Sequence, residues 1–126
     1  MIVENEGIPI GYVQYYALDE KEYGIEACKE IATLTYDAPY AIDIFLSGEF
    51  CNHGLGTATL QLLTKLIFET TDCDILFIDP NALNKRAVRC YEKARFQTLG
   101  LMKEHDLYQG RLTDSVLMFI GRDMVK

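Results

Sequence analysis

The sequence has no run of about 20 apolar residues, the length that a helix needs to cross a membrane. Its beginning, MIVENE, lacks the basic segment and the long apolar stretch of a secretory signal peptide. Neither a membrane-spanning protein nor a secreted one is therefore expected. We predict a cytoplasmic protein with no membrane association.

The sequence also lacks closely spaced metal ligands. Cys28, Cys51, Cys73 and Cys90 lie far apart and form no C-x-x-C pair. Zinc sites need ligand pairs at short spacing, so no metal is expected. In a reducing cytosol the cysteines should be free thiols, with Cys90 as a small buried apolar side chain.

Positive charge is scarce, because 12 Lys and Arg stand against 19 Asp and Glu, a net charge of −7. Such a surface repels the phosphates of nucleic acid, so no nucleic-acid partner is expected. An acidic cleft would concentrate a cationic small molecule. Charge alone, however, is better explained by solubility, so other features must decide what the chain binds.

What is present is an ordinary globular composition, with 49% apolar and 25% charged residues in a chain of 126 residues. This predicts one domain over residues 1–126. Strands come first and then alternate with helices, which indicates the α/β class with a mixed sheet. The predicted strands are 1–4 and 10–17 (joined by a turn at 5–7), 41–47, 75–78, 96–102 and 115–120, and the predicted helices are 54–70, 85–94 and a short one near 27–34.

A glycine-containing turn, His53-Gly54-Leu55-Gly56-Thr57, lies between a predicted strand and a predicted helix. Exposed backbone N–H groups and the positive end of a helix can together bind an anion such as a pyrophosphate. The turn is not a nucleoside-triphosphate loop, because no Gly-Lys-Ser/Thr follows it. It is not a dinucleotide fingerprint either, because Thr59 stands where a third glycine is required. A plain glycine turn remains an equal alternative.

A second segment carries more information. Asp79-Pro80 ends a buried strand, and residues 84–96 then read NKRAVRCYEKARF. This segment resembles the GNAT acetyltransferase motif N-x-x-A-x-x-x-Y-x-K-x-G-F. The segment Ile42-Asp43-Ile44-Phe45 before the glycine turn is similar to the pattern of the aminoglycoside 6'-N-acetyltransferases, and so is EHDLYQG at residues 104–110. The resemblance covers roughly residues 8–119.

The resemblance implies the GNAT fold, a mixed and mostly antiparallel central sheet flanked by helices, here shortened at the N-terminus. It implies acetyl-CoA as the acyl donor, no metal, and a cationic amine as the acceptor. Asp43 becomes the candidate to bind the ammonium and accept its proton. Tyr91 becomes the candidate to protonate the leaving thiolate, since phenol and thiol pKa values of about 10 and 8.5 are close. A solvated carboxylate and a packed core tyrosine are the alternatives.

The resemblance also implies a cofactor site. A bulged strand near Ile44 to Leu46 should splay from its neighbour and admit pantetheine, with a backbone N–H of that strand, such as that of Phe45, polarising the thioester. The glycine turn should hold the pyrophosphate and Asn84 the pantetheine, while Arg86 and Lys93 are either nucleotide contacts or solvated cations. The complete set of expected cofactor-binding residues is Ile44, Phe45, Leu46, His53, Gly54, Leu55, Gly56, Thr57, Asp79, Asn84, Ala87 and Tyr91.

The sequence departs from the family pattern in three places. Cys51 replaces a frequent Gln or Arg, and Arg95 replaces a glycine that takes a left-handed conformation after a helix, which should cost roughly 1 kcal/mol. A complete member also has a strand and two helices before the hairpin that begins at Met1. Their absence would expose apolar sheet surface, so a homodimer is compatible with the sequence.

The expected reaction is direct attack of an amine on acetyl-CoA in a ternary complex, because Cys51 and Cys90 have no neighbouring base in the sequence that would activate a thiol. An aminoglycoside is the first choice of acceptor. A siderophore precursor, a polyamine and a peptide N-terminus are alternatives, and so is a non-catalytic CoA-binding protein.

Overall fold

Six strands form one sheet in the part of the chain that the computed structural model describes, residues 2–5, 8–46 and 55–124. All neighbouring strands are antiparallel except β3 and β4, which are parallel, so the predicted mixed and mostly antiparallel sheet is confirmed. The spatial order is β1-β2-β3-β4-β6-β5. The strands are β1 (Ile2–Asn5), β2 (Ile8–Ala17), β3 (Pro39–Leu46), β4 (Ile75–Ile78), β5 (Gln97–Tyr108) and β6 (Arg111–Gly121).

One helix follows each of the two parallel strands, and the first of these helices is the crossover connection that a parallel pair needs. Helix α2 (Leu55–Thr70) lies between β3 and β4, and helix α3 (Lys85–Lys93) follows β4. Both match the prediction, although Gly54 lies outside the described residues. A one-turn helix, α1 (Glu20–Tyr23), and three short 3-10 turns complete the described elements: Ile25–Ala27, Lys29–Thr33 and Arg122–Met124.

The short helix predicted near residues 27–34 is wrong in type. Cys28 has an extended backbone, with φ −91° and ψ 112°, and it separates two 3-10 turns. No residue of Lys29–Thr33 is buried, so no apolar stripe is present to stabilise an α-helix. Ile25 and Cys28 are buried instead, and they hold this segment flat against the sheet.

The apolar core lies on both faces of the sheet, and strand β4 shows why. Leu76 and Ile78 pack toward α2 and α3, whereas Ile75 and Phe77 pack toward Ile25 on the other face. Side chains of a strand alternate between faces, so a strand with apolar residues throughout must be covered on both sides. The continuous run ILFI therefore correctly predicted a buried central strand.

The hairpin of β5 and β6 is longer than predicted. Most of the region expected as a loop, residues 103–114, belongs to these strands, and only Gln109 and Gly110 form the turn. Both have positive φ, 51° and 79°, as a two-residue turn of this hand requires. The alternation of apolar residues stops near Met102, because the outer part of the hairpin is more exposed, and the prediction ended there as well.

The two parallel strands separate after three residue pairs. Pro39 to Ala41 pair with Ile75 to Phe77, and no pair follows, although β3 continues to Leu46. On its other edge β3 stays paired with β2 through Leu46, without a register shift. Ile44 to Leu46 thus have no partner in β4, as the expected splay requires, but the expected bulge is not found in the described pairing.

Helix α3 ends in a Schellman motif at a residue that is not glycine. The N–H of Phe96 donates to the carbonyl of Tyr91 at 3.0 Å, and the N–H of Arg95 donates to that of Glu92 at 2.9 Å. This arrangement places Arg95 in the left-handed region, with φ 79°. The strain inferred from the missing family glycine is located here.

We expect Arg95→Gly to raise the free energy of unfolding by about 1 kcal/mol, because glycine adopts this φ without a steric penalty. Urea denaturation measures the change. The matched control is Arg95→Ala, which removes the same charge but keeps the Cβ. An equal gain in both variants would mean that side-chain loss, not backbone strain, sets the stability.

Candidate active site

The candidate site lies where the carboxyl ends of β3 and β4 diverge. Parallel strands end at the same edge of a sheet, and the helices that follow them begin at that edge. The first turns of α2 and α3 and the edge of β3 beyond Ala41, which has no β4 partner, therefore belong to this one edge of the sheet, and we call the space beside that edge of β3 the opening. Unpaired backbone groups and two positive helix ends suit an extended ligand that carries an anion.

On the helix side, the start of α2 is tied to α3. The Thr57 hydroxyl lies 3.4 Å from the carbonyl oxygen of Cys90 and 3.5 Å from its Sγ, and Gly56 is buried beneath it. Cys90 is only partly buried, so the expectation of a buried core cysteine is wrong. Its position is explained by this contact between the first turn of α2 and the second turn of α3. Leu55 is the first residue of α2, while His53 and Gly54 lie outside the described residues, as does Cys51.

Asn84, Ala87 and Tyr91 follow one another along α3. The Asn84 Oδ1 caps the helix by accepting the N–H of Ala87 at 3.1 Å, as predicted. Asn84 itself is exposed at the opening. Tyr91 is partly buried and packs, together with Ile44 of β3, against the core on the helix side. Arg86 and Lys93 are exposed on the same helix.

Asp43 lies on the opposite face of the sheet from Tyr91. It alternates with Ile42 and Ile44, which face the helices, and it is directly opposite Gln14 of β2. One carboxylate oxygen of Asp43 accepts the side-chain N–H of Gln14 at 2.8 Å and the hydroxyl of Tyr16 at 3.4 Å. The carboxylate is thus held by neighbours and half-buried, and it is not a freely solvated strand-end charge.

Tyr16 stays protonated next to that carboxylate. Partial burial, followed by the negative charge of Asp43, raises the pKa of Tyr16 to about 12. A neutral phenol can donate its hydrogen to Asp43 over the whole physiological pH range. Tyr16 therefore orients Asp43 without competing with it for a proton.

Asp79 also faces this second side of the sheet, because it continues the alternation of Ile75 and Phe77. Its side chain is 21% exposed, and its Oδ2 lies 3.5 Å from the Nδ1 of His105. Burial raises the pKa of Asp79, the neighbouring Tyr23 hydroxyl and His105 lower it, and the charge of Asp43 raises it again. Burial and the Asp79 charge also raise the pKa of Tyr23, so its hydroxyl remains protonated.

An irregularity in β5 brings His105 to this position. The register between β5 and β6 shifts between Met102 and Asp106, and Glu104 takes a positive φ of 51° there. The N–H of Glu104 donates to the carboxylate of Asp114 at 3.0 Å, which holds the distortion. Asp106 then accepts the side-chain N–H of Asn81 at 2.9 Å, which fixes the loop after β4.

The structure thus brings together most predicted residues and adds others. Asp43 and Asp79 share one face, while Thr57, Asn84, Ala87 and Tyr91 lie on the other side of the same opening. The backbone of Ile44, Phe45 and Leu46 forms the free edge between them. Tyr16, Tyr23 and His105 were missed. The only available signal was that His105 belongs to the hairpin segment EHDLYQG.

No group of three or more His, Cys, Asp or Glu side chains that could hold a metal ion occurs in the described ranges. Cys28, Cys73 and Cys90 are free thiols, as predicted for cysteines so far apart. Within the same ranges, no helix is long and apolar enough to cross a membrane.

Sequence comparison finds aminoglycoside acetyltransferases among the relatives of this chain. The chain is 32% identical over 101 residues to the aminoglycoside N(6')-acetyltransferase type 1 of Klebsiella pneumoniae. The aligned residues make up 79% of this chain and 48% of that protein. A kanamycin resistance protein of Rhizobium radiobacter is 40% identical over 53 residues, 42% of this chain and 49% of its own length. The chain thus spans about half the length of the curated relatives it matches.

Comparison with solved structures also finds an aminoglycoside acetyltransferase. The aminoglycoside acetyltransferase AAC(6')-Ib in complex with coenzyme A and kanamycin has a TM-score of 0.70 and 27% identity, over 98% of this chain and 66% of that one. A spermidine N-acetyltransferase from Vibrio cholerae has a TM-score of 0.74 at 18% identity, over 97% of this chain and 64% of that one, and it shows the fold alone. The model of the acetyltransferase (GNAT) domain family matches residues 1–104. The chain belongs to the GNAT acetyltransferase family.

Proposed function

We propose that this chain carries the donor site and the catalytic groups of an N-acetyltransferase that moves acetyl from acetyl-CoA to a primary amine of an aminoglycoside. The observation that carries the proposal is the opening between β3 and β4, with Asp43 on one face and Tyr91 on the other. A thioester lying in this opening can be approached by an amine from one face. Its sulfur can be protonated from the other.

The opening fits the donor substrate. The free edge of β3 at Ile44, Phe45 and Leu46 offers backbone groups to which an extended pantetheine can add as a further strand. The first turn of α2, after the glycine turn, supplies N–H groups and partial positive charge for the pyrophosphate. Asn84 lies exposed at the start of α3, where its side-chain amide can reach the pantetheine.

The proton balance uses residues from both faces. An amine attacks a carbonyl carbon only as the free base, so the acceptor ammonium first gives a proton to Asp43. The new C–N bond replaces the C–S bond. The second proton of the amine nitrogen then returns through solvent to the phenolate that Tyr91 becomes in protonating the sulfur, and Asp43 releases its proton to solvent. The leaving thiolate takes the phenolic proton of Tyr91. Gln14 and Tyr16 keep Asp43 in place through these steps.

The acceptor side favours a molecule with more than one ammonium group. Asp43 and Asp79 share one face and interact electrostatically, so a cation near one is attracted by both. The sequence analysis expected Asp79 to contact the cofactor. We assign it instead to binding of the acceptor. The names of the relatives, which include an aminoglycoside acetyltransferase and a kanamycin resistance protein, support an aminoglycoside over other amines.

We expect Asp43→Asn to lower kcat/KM for an aminoglycoside by about 10²- to 10⁴-fold, because the amide cannot accept the ammonium proton. Release of the CoA thiol measures turnover, and calorimetry should show an unchanged affinity for CoA. The control is Asp72→Asn, which removes an exposed carboxylate just before β4, at the other edge of the sheet. Unimpaired turnover in Asp43→Asn would exclude Asp43 as the base.

We expect Tyr91→Phe to lower kcat by about 10²-fold with little change in KM for acetyl-CoA, because only the phenolic proton is lost. The thiol-release assay measures this with kanamycin, spermidine and a peptide N-terminus as acceptors. Turnover on spermidine or peptide alone would contradict the aminoglycoside. Binding of CoA without turnover of any amine would contradict the enzyme, and no binding of CoA would contradict the whole proposal.

Keeping Asp79 buried should cost stability when no acceptor is bound. A carboxyl group whose pKa is raised on folding stabilises the fold in its protonated form, and this contribution is lost as the pH rises through the raised value. We expect Asp79→Asn to raise Tm by about 2–5 °C at pH 8 and to have no such effect near pH 4. Thermal melts across this range, with Asp72→Asn as the control, measure the difference. A Tm gain independent of pH would contradict it.

A further inference from the structure

His105 makes three contacts that the proposed reaction does not use. Its Nε2 lies 2.6 Å from the backbone carbonyl oxygen of Tyr23, and its Nδ1 lies 3.5 Å from the Asp79 carboxylate. Its ring also meets the Tyr23 ring edge-on, with centroids 6.2 Å apart. One side chain on β5 therefore joins the end of α1 to the end of β4.

The backbone next to Tyr23 lies close against the imidazole ring of His105. Gly24 has a positive φ of 77°, and a Cβ at this position would lie 3.1 Å from the His105 Nε2 and 3.2 Å from its Cδ2. A larger residue would therefore be strained in its backbone and crowded against the ring. The backbone at residues 23–24 thus runs directly over His105.

We propose that His105 is a positioning residue for the acceptor: it fastens the α1 segment, residues 20–24, over the sheet and keeps Asp79 available as a carboxylate. That Asp79 meets the acceptor rests on the proposed function. The fastening itself is a property of the fold. Asp43 and Tyr91 act on the reacting atoms, whereas His105 acts through Asp79 and Tyr23.

Hydrogen-bond chemistry fixes one proton on the ring. A carbonyl oxygen only accepts, so the Nε2 of His105 carries a hydrogen toward Tyr23. The Nδ1 then faces Asp79, and two lone pairs cannot meet there favourably. Either the imidazole is charged and pairs with a carboxylate, or it is neutral and faces a protonated Asp79. In both cases the pair holds one proton in addition to the one on Nε2.

The groups around His105 and Asp79 determine whether Asp79 is charged. Burial and the negative charges of Asp43 and Asp106 raise the pKa of Asp79, and the charge of His105 opposes them. Without His105, Asp79 would be protonated up to a higher pH and would attract an ammonium less. The titratable groups around the pair are Asp43 on β3, Tyr16 on β2, Tyr23 on α1 and Asp106 on β5.

Amide hydrogen exchange of the unliganded protein tests the fastening. His105→Leu removes the donor to the Tyr23 carbonyl, so exchange at residues 21–25 should become faster by about tenfold, as expected for the loss of one hydrogen bond. His105→Gln keeps an N–H that can reach this carbonyl and should stay near wild type. Lys103→Gln, an exposed change on the same strand, is the control. Wild-type exchange in His105→Leu, or equally fast exchange in both His105 variants, would overturn the fastening.

The pH profile of kcat/KM for kanamycin tests the effect on Asp79. In His105→Gln the acid limb should move to higher pH by about one unit, with KM for acetyl-CoA unchanged, because an opposing positive charge is lost. A merely structural role would lower the profile without moving its midpoint. An unmoved acid limb would overturn this part of the proposal.

Failure of the proposed function gives a different result. If CoA binds but no amine is acetylated, the enzyme assignment fails, while exchange at residues 21–25 still decides the fastening. The titration of the Asp79 carboxyl carbon, followed by NMR, then replaces the kinetic profile. It should move to higher pH in His105→Gln, and an identical titration in both proteins would overturn the control of Asp79.

Discussion

The structure depends on a parallel pairing that stops after three residue pairs. Had β3 and β4 continued side by side, their backbone groups would have satisfied each other and the sheet would have been closed. Because they diverge, the edge of β3 beyond Ala41 keeps polar backbone groups without a strand partner in the described pairing. These groups favour an extended ligand that supplies the missing hydrogen bonds. The same divergence brings the first turns of α2 and α3 to the two sides of the opening.

The alternation of side chains across the sheet then places Asp43 and Tyr91 on opposite faces. Ile44 and Tyr91 share the helix face, while Asp43, one residue earlier on β3, turns to the other face. A register slip of one residue on β3 would exchange these positions and abolish the arrangement. The seven consecutive pairs between β2 and β3 hold this register. Asp43, the proton acceptor that we propose, is therefore placed by backbone pairing as much as by its own side-chain contacts.

The sequence predicted those features that depend on interactions between residues near one another in the chain. The run ILFI is buried on both faces, Asn84 caps α3, and Arg95 takes the left-handed conformation that its family position requires. In these cases a few neighbouring residues contain the whole reason. The proposed donor side rests on local signals of the same kind, because its residues belong largely to the segments that begin the two helices.

The side of the sheet that we propose for the acceptor could not be predicted from the sequence, because its residues meet only through tertiary contacts. Tyr16, Tyr23 and His105 come from three separate elements, and His105 faces Asp79 only because β5 is distorted at Glu104. No periodicity in the sequence marks this distortion. The 3-10 segment was missed for a related reason, since it is held by Ile25 and Cys28 against the sheet and not by its own helical preference.

In the function that we propose, Asp79 connects the stability of the fold with recognition of the acceptor. Its burial disfavours the charged form in the free protein, which is a cost of folding at neutral pH. An acceptor ammonium placed beside it favours the charged form again, so binding lowers the pKa of Asp79 and drives a proton off. Cation binding and proton loss are thus linked, and each strengthens the other as the pH rises. The same pH rise frees the acceptor amine for attack, until the acceptor loses the charge that Asp79 recognises. An acetyltransferase built in this way works best where the acceptor still keeps one ammonium while another amine has already lost its proton.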